Sequence, residues 1–131
     1  MSWSFSPHRP VYYQVAERIR RSILSGEYPP GAQIPSVRQL ALDAAVNPNT
    51  VQHAFSELED RGLIEFRGTL GRFVTENTEA IEECRMQEAQ MLVDGIISKA
   101  AALKISGSDI IRMISEREQK LKEVNTDNER S

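Results

Sequence analysis

Two groups of polar side chains in this sequence could make directional hydrogen bonds to a partner molecule. Arg38 carries a planar guanidinium, whose fixed fork of N–H donors can engage two neighbouring acceptors at once. Asn49 and Gln52 carry amides with a donor beside an acceptor, and His53 offers both kinds of group on one ring. These residue types predict recognition by hydrogen bonding.

Catalytic chemistry has little support in the sequence. The two histidines, His8 and His53, stand far apart without a carboxylate pattern around them, and no nucleophile motif or glycine-rich phosphate loop appears. Cys84 is the single cysteine, and no cysteine–histidine cluster has the spacing of a zinc site. We therefore expect a protein that is not an enzyme and that needs no cofactor or metal.

The hydrogen-bonding residues named above fall near the starts of two predicted helices. Ser36, with Gln39 three residues later, is typical of a capping box, so a short helix should begin at Ser36 and end near residue 44. Asn47 followed by Pro48 predicts the start of another helix, because asparagine caps well and proline suits the first turn. An earlier amphipathic helix is predicted over about residues 10–25.

The helix that begins at Asn47 has two distinct faces, and a hairpin follows it. The apolar stripe consists of Val51, Ala54, Phe55 and Leu58. Residues 63–67 and 72–75 favour two short strands, joined by a turn that contains glycine. The predicted fold is mainly α with a small β-hairpin, arranged as a winged helix-turn-helix, which places its second helix in a DNA major groove.

Composition and charge agree with a folded binding protein. The 131 residues are 40% hydrophobic and 27% charged, which argues against wholesale disorder. Residues 1–75 contain arginine but no lysine, and acidic residues outnumber basic ones only after residue 75. This asymmetry weakly favours nucleic acid as the partner of the first part of the chain.

Several ordered motifs resemble the DNA-binding domain of GntR-family bacterial transcription regulators. They are residues 10–15 (PVYYQV), 35–41 (PSVRQLA), 47–51 (NPNTV), 57–64 (ELEDRGLI) and 71–74 (GRFV). The resemblance implies double-stranded DNA as the partner and a guanine contact for Arg38. On this basis the predicted DNA-binding residues are Ser36, Arg38, Asn47, Asn49, Thr50, Gln52, His53, Arg67 and Arg72.

Individual residues in this set have alternative roles. Arg38 could instead pair with Asp43 or with an acidic residue of the third helix, and Gln52 and His53 could simply be solvent-exposed. Asn47 is chiefly a helix cap, while Thr50 suits a phosphate contact or the same cap. In the wing, Thr69 stands where the family usually has glycine, which puts minor-groove insertion in doubt.

The rest of the chain predicts two further helices with wide apolar faces. The first spans about residues 78–103, and residues 106–109 cap the second. A tail of this kind is similar to the YtrA-like subfamily of GntR regulators, in which the helices form the homodimer. The predicted dimerisation residues are Ile81, Leu92, Val93, Ile96, Ile97, Leu103, Ile110, Ile111 and Ile114.

Together these features predict a homodimeric, sequence-specific DNA-binding regulator that binds an inverted-repeat operator. The resemblance to the family implies that it is a repressor. The alternative is a winged-helix protein-interaction module without specific DNA binding. The expected organisation is a DNA-binding domain over 1–75, a dimerisation segment over 76–125 and a flexible tail over 126–131.

The expected setting is the cytoplasm, without a membrane contact. No apolar run is long enough to span a bilayer, and the start of the chain lacks the pattern of a signal peptide. A small-molecule effector could bind at the dimer seam, but no residue pattern indicates its site.

Overall fold

The computed structural model describes residues 3–130, with side chains through residue 128. Five helices and two strands follow in the order α1 (Val11–Leu24), α2 (Val37–Ala44), α3 (Pro48–Asp60), β1 (Ile64–Phe66), β2 (Arg72–Val74), α4 (Thr78–Ala102) and α5 (Gly107–Arg130). The chain divides into two compact units, the first ending at Met86 and the second beginning at Gln87.

The first unit is a winged helix-turn-helix, as the sequence predicted. Helix α1 packs on α3, and α2 packs on α3, around a core that includes Val15, Ile19, Leu40 and Phe55. Strands β1 and β2 pair antiparallel, with Ile64 opposite Val74. The wing turn is a short 3₁₀ segment over Gly68–Leu70.

The turn between α2 and α3 has a defined hydrogen-bond pattern. The Val46 N–H donates to the Ala41 carbonyl and the Ala45 N–H to the Leu42 carbonyl, at 3.0 and 3.3 Å. This is a Schellman motif, which normally places glycine at the left-handed position. Here Ala45 occupies that position, with φ of 56°.

The first unit extends beyond the predicted boundary at residue 75. Ile81, on the first turns of α4, is only 4% exposed and belongs to the core of this unit, and Cys84 packs against that core. The Arg85 guanidinium donates to the Leu24 carbonyl at 2.8 and 3.1 Å, which satisfies a backbone acceptor at the end of α1. Ile81 was predicted to face a second copy of the chain; it is instead buried within its own unit.

The second unit contains the remainder of α4 and all of α5. The N–H groups of Lys104 and Ile105 close another Schellman motif on Ala101 and Ala100, with Lys104 left-handed at φ of 60°. Ser106 Oγ then accepts from the Asp109 N–H at 3.1 Å and caps α5, as predicted. Helix α5 continues to Arg130, through most of the segment 126–131 for which we expected a flexible tail. No proline or glycine follows Gly107 to interrupt it.

Candidate nucleic-acid interface

The start of α2 presents Arg38 to solvent. Ser36 Oγ accepts from the Gln39 N–H at 3.1 Å, which is half of the predicted capping box. The Gln39 side chain does not reach back to Ser36 and donates to Asp43 Oδ1 at 2.9 Å. Among residues 3–130, no ion pair or hydrogen bond engages the exposed Arg38 guanidinium, so the alternative pairing with Asp43 is not formed.

The start of α3 is built by Asn47 and Pro48. Asn47 Oδ1 accepts from the Asn49 N–H at 2.8 Å, and the Asn47 carbonyl accepts from the Thr50 N–H at 2.9 Å. Pro48 occupies the first turn, where its missing N–H leaves no bond unmade. Asn47 therefore acts as the predicted cap, and its backbone fixes where the outward face of α3 begins.

The outward face of α3 is polar and exposed over its first two turns. Asn49, Gln52 and His53 are exposed, whereas Val51, Ala54, Phe55 and Leu58 are buried beneath them. Asn49 and His53 are four residues apart and so lie one above the other on the helix. A major groove about 12 Å wide admits a helix of this kind, and amide and imidazole groups match the donors and acceptors of base edges.

His53 stacks on a tyrosine of α1. The rings of Tyr12 and His53 stack with centroids 3.6 Å apart and planes 10° apart. Tyr12 lies on α1 and His53 on α3, so only the packing of the two helices brings the rings together. No local sequence signal could have revealed this pair.

The wing is fixed by a contact from the segment before α2. Gln33 Nε2 donates to the Leu70 carbonyl at 2.7 Å, and Gln33 forms an isolated antiparallel bridge with Phe73. Arg67 pairs with Glu65 at 3.2 Å and lies 4.6 Å from the centroid of Phe73. Arg67 stays partly exposed on the wing.

Arg72 has a different environment from the other predicted contacts. Its Nε donates to Glu59 Oε1 at 2.7 Å, and its guanidinium lies 4.7 and 4.8 Å from the ring centroids of Phe55 and Phe66. The Arg72 side chain is only 17% exposed. Arg72 therefore joins the wing to α3, whereas the side chains of Arg38, Asn49, Gln52 and His53 are each exposed.

The predicted dimerisation residues other than Ile81 belong to the second unit, where all lie on α4 or α5 except Leu103, which directly follows α4. Ile110 is half-buried. The others are between 44 and 72% exposed: Leu92, Val93, Ile96, Ile97, Leu103, Ile111 and Ile114. Most of the predicted dimerisation residues are therefore exposed to solvent in the single chain.

Other kinds of site find no support in the described residues. Within residues 3–130, no cluster of three or more His, Cys, Asp or Glu side chains could hold a metal ion. None of the helices described there has the length and apolarity needed to cross a bilayer.

The fold and the exposed polar face together define a winged helix-turn-helix domain of the DNA-binding class. Residues 11–74 match the family model described as bacterial regulatory proteins, gntR family. The chain is 31% identical to the uncharacterised HTH-type transcriptional regulator YhcF of Bacillus subtilis over 87% of this chain and 94% of that protein. This chain belongs to the GntR family of transcriptional regulators.

Further similarities agree with the predicted YtrA-like resemblance. The HTH-type transcriptional repressor YtrA of Bacillus subtilis is 41% identical over 52% of each chain. A GntR-family regulator from Listeria monocytogenes is similar in structure, with a TM-score of 0.80 and 33% identity over 86% of this chain and 98% of that one. The DNA-binding domain of AraR in complex with operator ORX1 has a TM-score of 0.54 and 28% identity, covering 57% of this chain and 95% of that one.

Proposed function

We propose that this protein is a homodimeric transcriptional repressor that binds an inverted-repeat operator in the cytoplasm. The observation that carries the proposal is the exposed hydrogen-bonding group of Arg38, Asn49, Gln52 and His53 on a GntR-family winged domain. Two copies of this group, joined through the tails, would face successive major grooves. Dimeric helix-turn-helix proteins read two half-sites about one helical turn apart in this way.

Arg38 is the residue on which specific binding most depends. Its guanidinium forms no described intramolecular contact, so nothing has to be broken when it binds DNA. A bidentate arginine contact with guanine O6 and N7 contributes about 1–3 kcal/mol of discrimination. Asn49, Gln52 and His53 add readout from α3, while Ser36, Thr50 and Arg67 suit phosphate contacts that set the register.

The exposed tail supports the homodimer in this proposal. The apolar residues of α4 and α5 need a partner, and a second copy satisfies them while doubling the DNA-contacting surface. The repressor role is supported by the similarity to the transcriptional repressor YtrA, which extends over 52% of the chain. Occupation of an operator is sufficient to exclude polymerase, so the proposal needs no effector.

The test is selection of DNA followed by a matched affinity comparison. The wild-type chain enriches duplexes from a random 30-bp library, and fluorescence anisotropy then compares the enriched duplex with a scrambled one. Arg38→Ala should lose roughly 5- to 150-fold of affinity for the enriched duplex. Binding to the scrambled duplex should change much less, since it depends on phosphates.

Arg61→Ala is the matched control for removing one positive charge. Arg61 is exposed at the C-terminal end of α3, about 20 Å along the helix from Asn47. Its replacement should preserve the preference for the enriched duplex. Equal loss in both variants would reduce Arg38 to a general electrostatic role, and failure of the wild type to enrich any duplex would favour the protein-interaction alternative.

A further inference from the structure

Tyr12 and His53 form an aromatic stack at the edge of the predicted DNA-reading face. The ring centroids are 3.6 Å apart and the planes differ by 10°, which is a face-to-face arrangement at contact distance. His53 is exposed, whereas Tyr12 is half-buried at the first turn of α1. The Tyr12 ring is therefore the partly buried member of the stack, and the His53 imidazole is the member that faces solvent.

Tyr12 is carried by a helix that packs into the core. Helix α1 packs against α3 through the core of the first unit, where Val15 and Val51 are fully buried. This packing holds the backbone of Tyr12 in place relative to the backbone of α3. The Tyr12 ring is therefore set beside the imidazole of His53 by the tertiary packing of two helices.

The stack fixes the plane of the imidazole but leaves its edge free. A neutral imidazole carries one donor and one acceptor nitrogen, both directed outward in the ring plane. None of the hydrogen bonds described in residues 3–130 uses either ring nitrogen of His53. An imidazole of fixed plane makes directional hydrogen bonds, whereas a freely rotating one must lose torsional freedom when it binds.

We propose that Tyr12 is a specificity-determining positioning residue, which holds the His53 imidazole edge-on toward the base pairs beside those read by Asn49. This inference rests on the proposed DNA-binding function. Asn49 and His53 share a line along α3, so their contacts fall on neighbouring base pairs of one half-site. Tyr12 itself need not touch the DNA, because its effect passes through the orientation of His53.

The experiment compares the wild type with five variants on every single-base-pair substitution of the enriched duplex. His53→Ala should weaken the base preference at one or two positions. Tyr12→Ala should weaken it at the same positions, with roughly three- to tenfold loss of affinity, because the imidazole must now be ordered on binding. The double variant Tyr12→Ala/His53→Ala should match His53→Ala alone, since both changes remove one reading unit.

Tyr12→Phe separates stacking from the hydroxyl group. Phenylalanine keeps the ring and should rescue the affinity and the base preference. Tyr13→Ala is the control at the neighbouring position. Tyr13 is exposed on α1, and its ring lies near Arg9 rather than His53, with 6.0 Å between the Arg9 guanidinium carbon and the ring centroid. The imidazole proton resonances of His53 report the stack directly: the ring current that shifts them should persist in Tyr12→Phe and disappear in Tyr12→Ala.

The outcomes distinguish this inference from the proposed function. If the wild type enriches a duplex but Tyr12→Ala binds it with unchanged base preference, the inference fails and the proposed function stands. Additive effects of Tyr12→Ala and His53→Ala, or failure of Tyr12→Phe to rescue, also overturn the inference. If the wild type enriches no duplex, the proposed function fails and the inference with it.

Discussion

At the scale of single residues, two arginines of the same domain, Arg72 and Arg67, have different surroundings. Arg72 is paired with Glu59, lies near two aromatic rings and is mostly buried. Arg67 is also paired with a carboxylate and lies over one ring, but it is considerably more exposed. Surface ion pairs contribute little to stability, whereas a partly desolvated cation over aromatic rings contributes more.

We expect these two arginines to respond differently to alanine substitution. Arg72→Ala should lower the free energy of unfolding by about 1–2 kcal/mol, because it removes a partly buried ion pair and two ring contacts. Arg67→Ala should change it by less than about 0.5 kcal/mol. Urea unfolding followed by circular dichroism measures both free energies, and equal losses would contradict the expected difference between the two arginines.

At the scale of elements, the left-handed residues at helix ends are the informative feature. Gly62 closes α3 with φ of 74°, and a Cβ added there would meet no atom within 4 Å. Ala45 holds the equivalent position after α2 with φ of 56°. This left-handed conformation costs a residue with a Cβ roughly 1–2 kcal/mol of free energy, whereas glycine adopts it without that cost.

Substitutions at these two turns should therefore have opposite effects. Ala45→Gly should stabilise the domain by about 0.5–1 kcal/mol, because relief of backbone strain exceeds the added entropy of the unfolded chain. Gly62→Ala should destabilise it by about 1 kcal/mol or more through strain alone. The melting temperatures of both variants, compared with that of the wild type, test these two predictions. A lower melting temperature for Ala45→Gly would contradict the expected relief of backbone strain.

At the scale of the whole molecule, the main feature is the set of exposed apolar side chains in the second unit. Ile96 is 44% exposed on α4, among several other large apolar residues. Surfaces of this kind are stable in water when a second copy covers them. The proposed homodimer also links two DNA-reading faces, which strengthens binding to a two-half-site operator without any new contact.

Ile96→Glu should disrupt the homodimer, because it places a charge in the apolar face. Light scattering after size exclusion should give the mass of one chain for this variant and of two chains for the wild type. Operator affinity should fall by roughly 10²- to 10⁴-fold as the second half-site loses its linkage. Ser98→Glu adds the same charge at an exposed polar position and should remain dimeric. A wild type with the mass of one chain would overturn the proposed dimer.

Local sequence signals predicted the order of the helices and strands and where most of the helices begin. The caps at Ser36, Asn47 and Ser106 and the glycine after α3 are local signals, because the groups that bond lie within a few residues of one another. Periodicity likewise identified the buried stripe of α3 and the exposed face opposite it. The outward positions of Asn49, Gln52 and His53 follow from these local features, whereas the sequence left open whether Arg38 pairs with Asp43.

Contacts between residues that are distant in sequence depend on the tertiary structure. The stack of Tyr12 on His53, the pairing of Arg72 with Glu59 and the burial of Ile81 each join elements that are separate in sequence. An amphipathic pattern shows which face of a helix is apolar but not which surface covers it. Ile81 thus entered the core of its own unit rather than the predicted dimer contact, because the first turns of α4 pack on the winged domain before the helix continues.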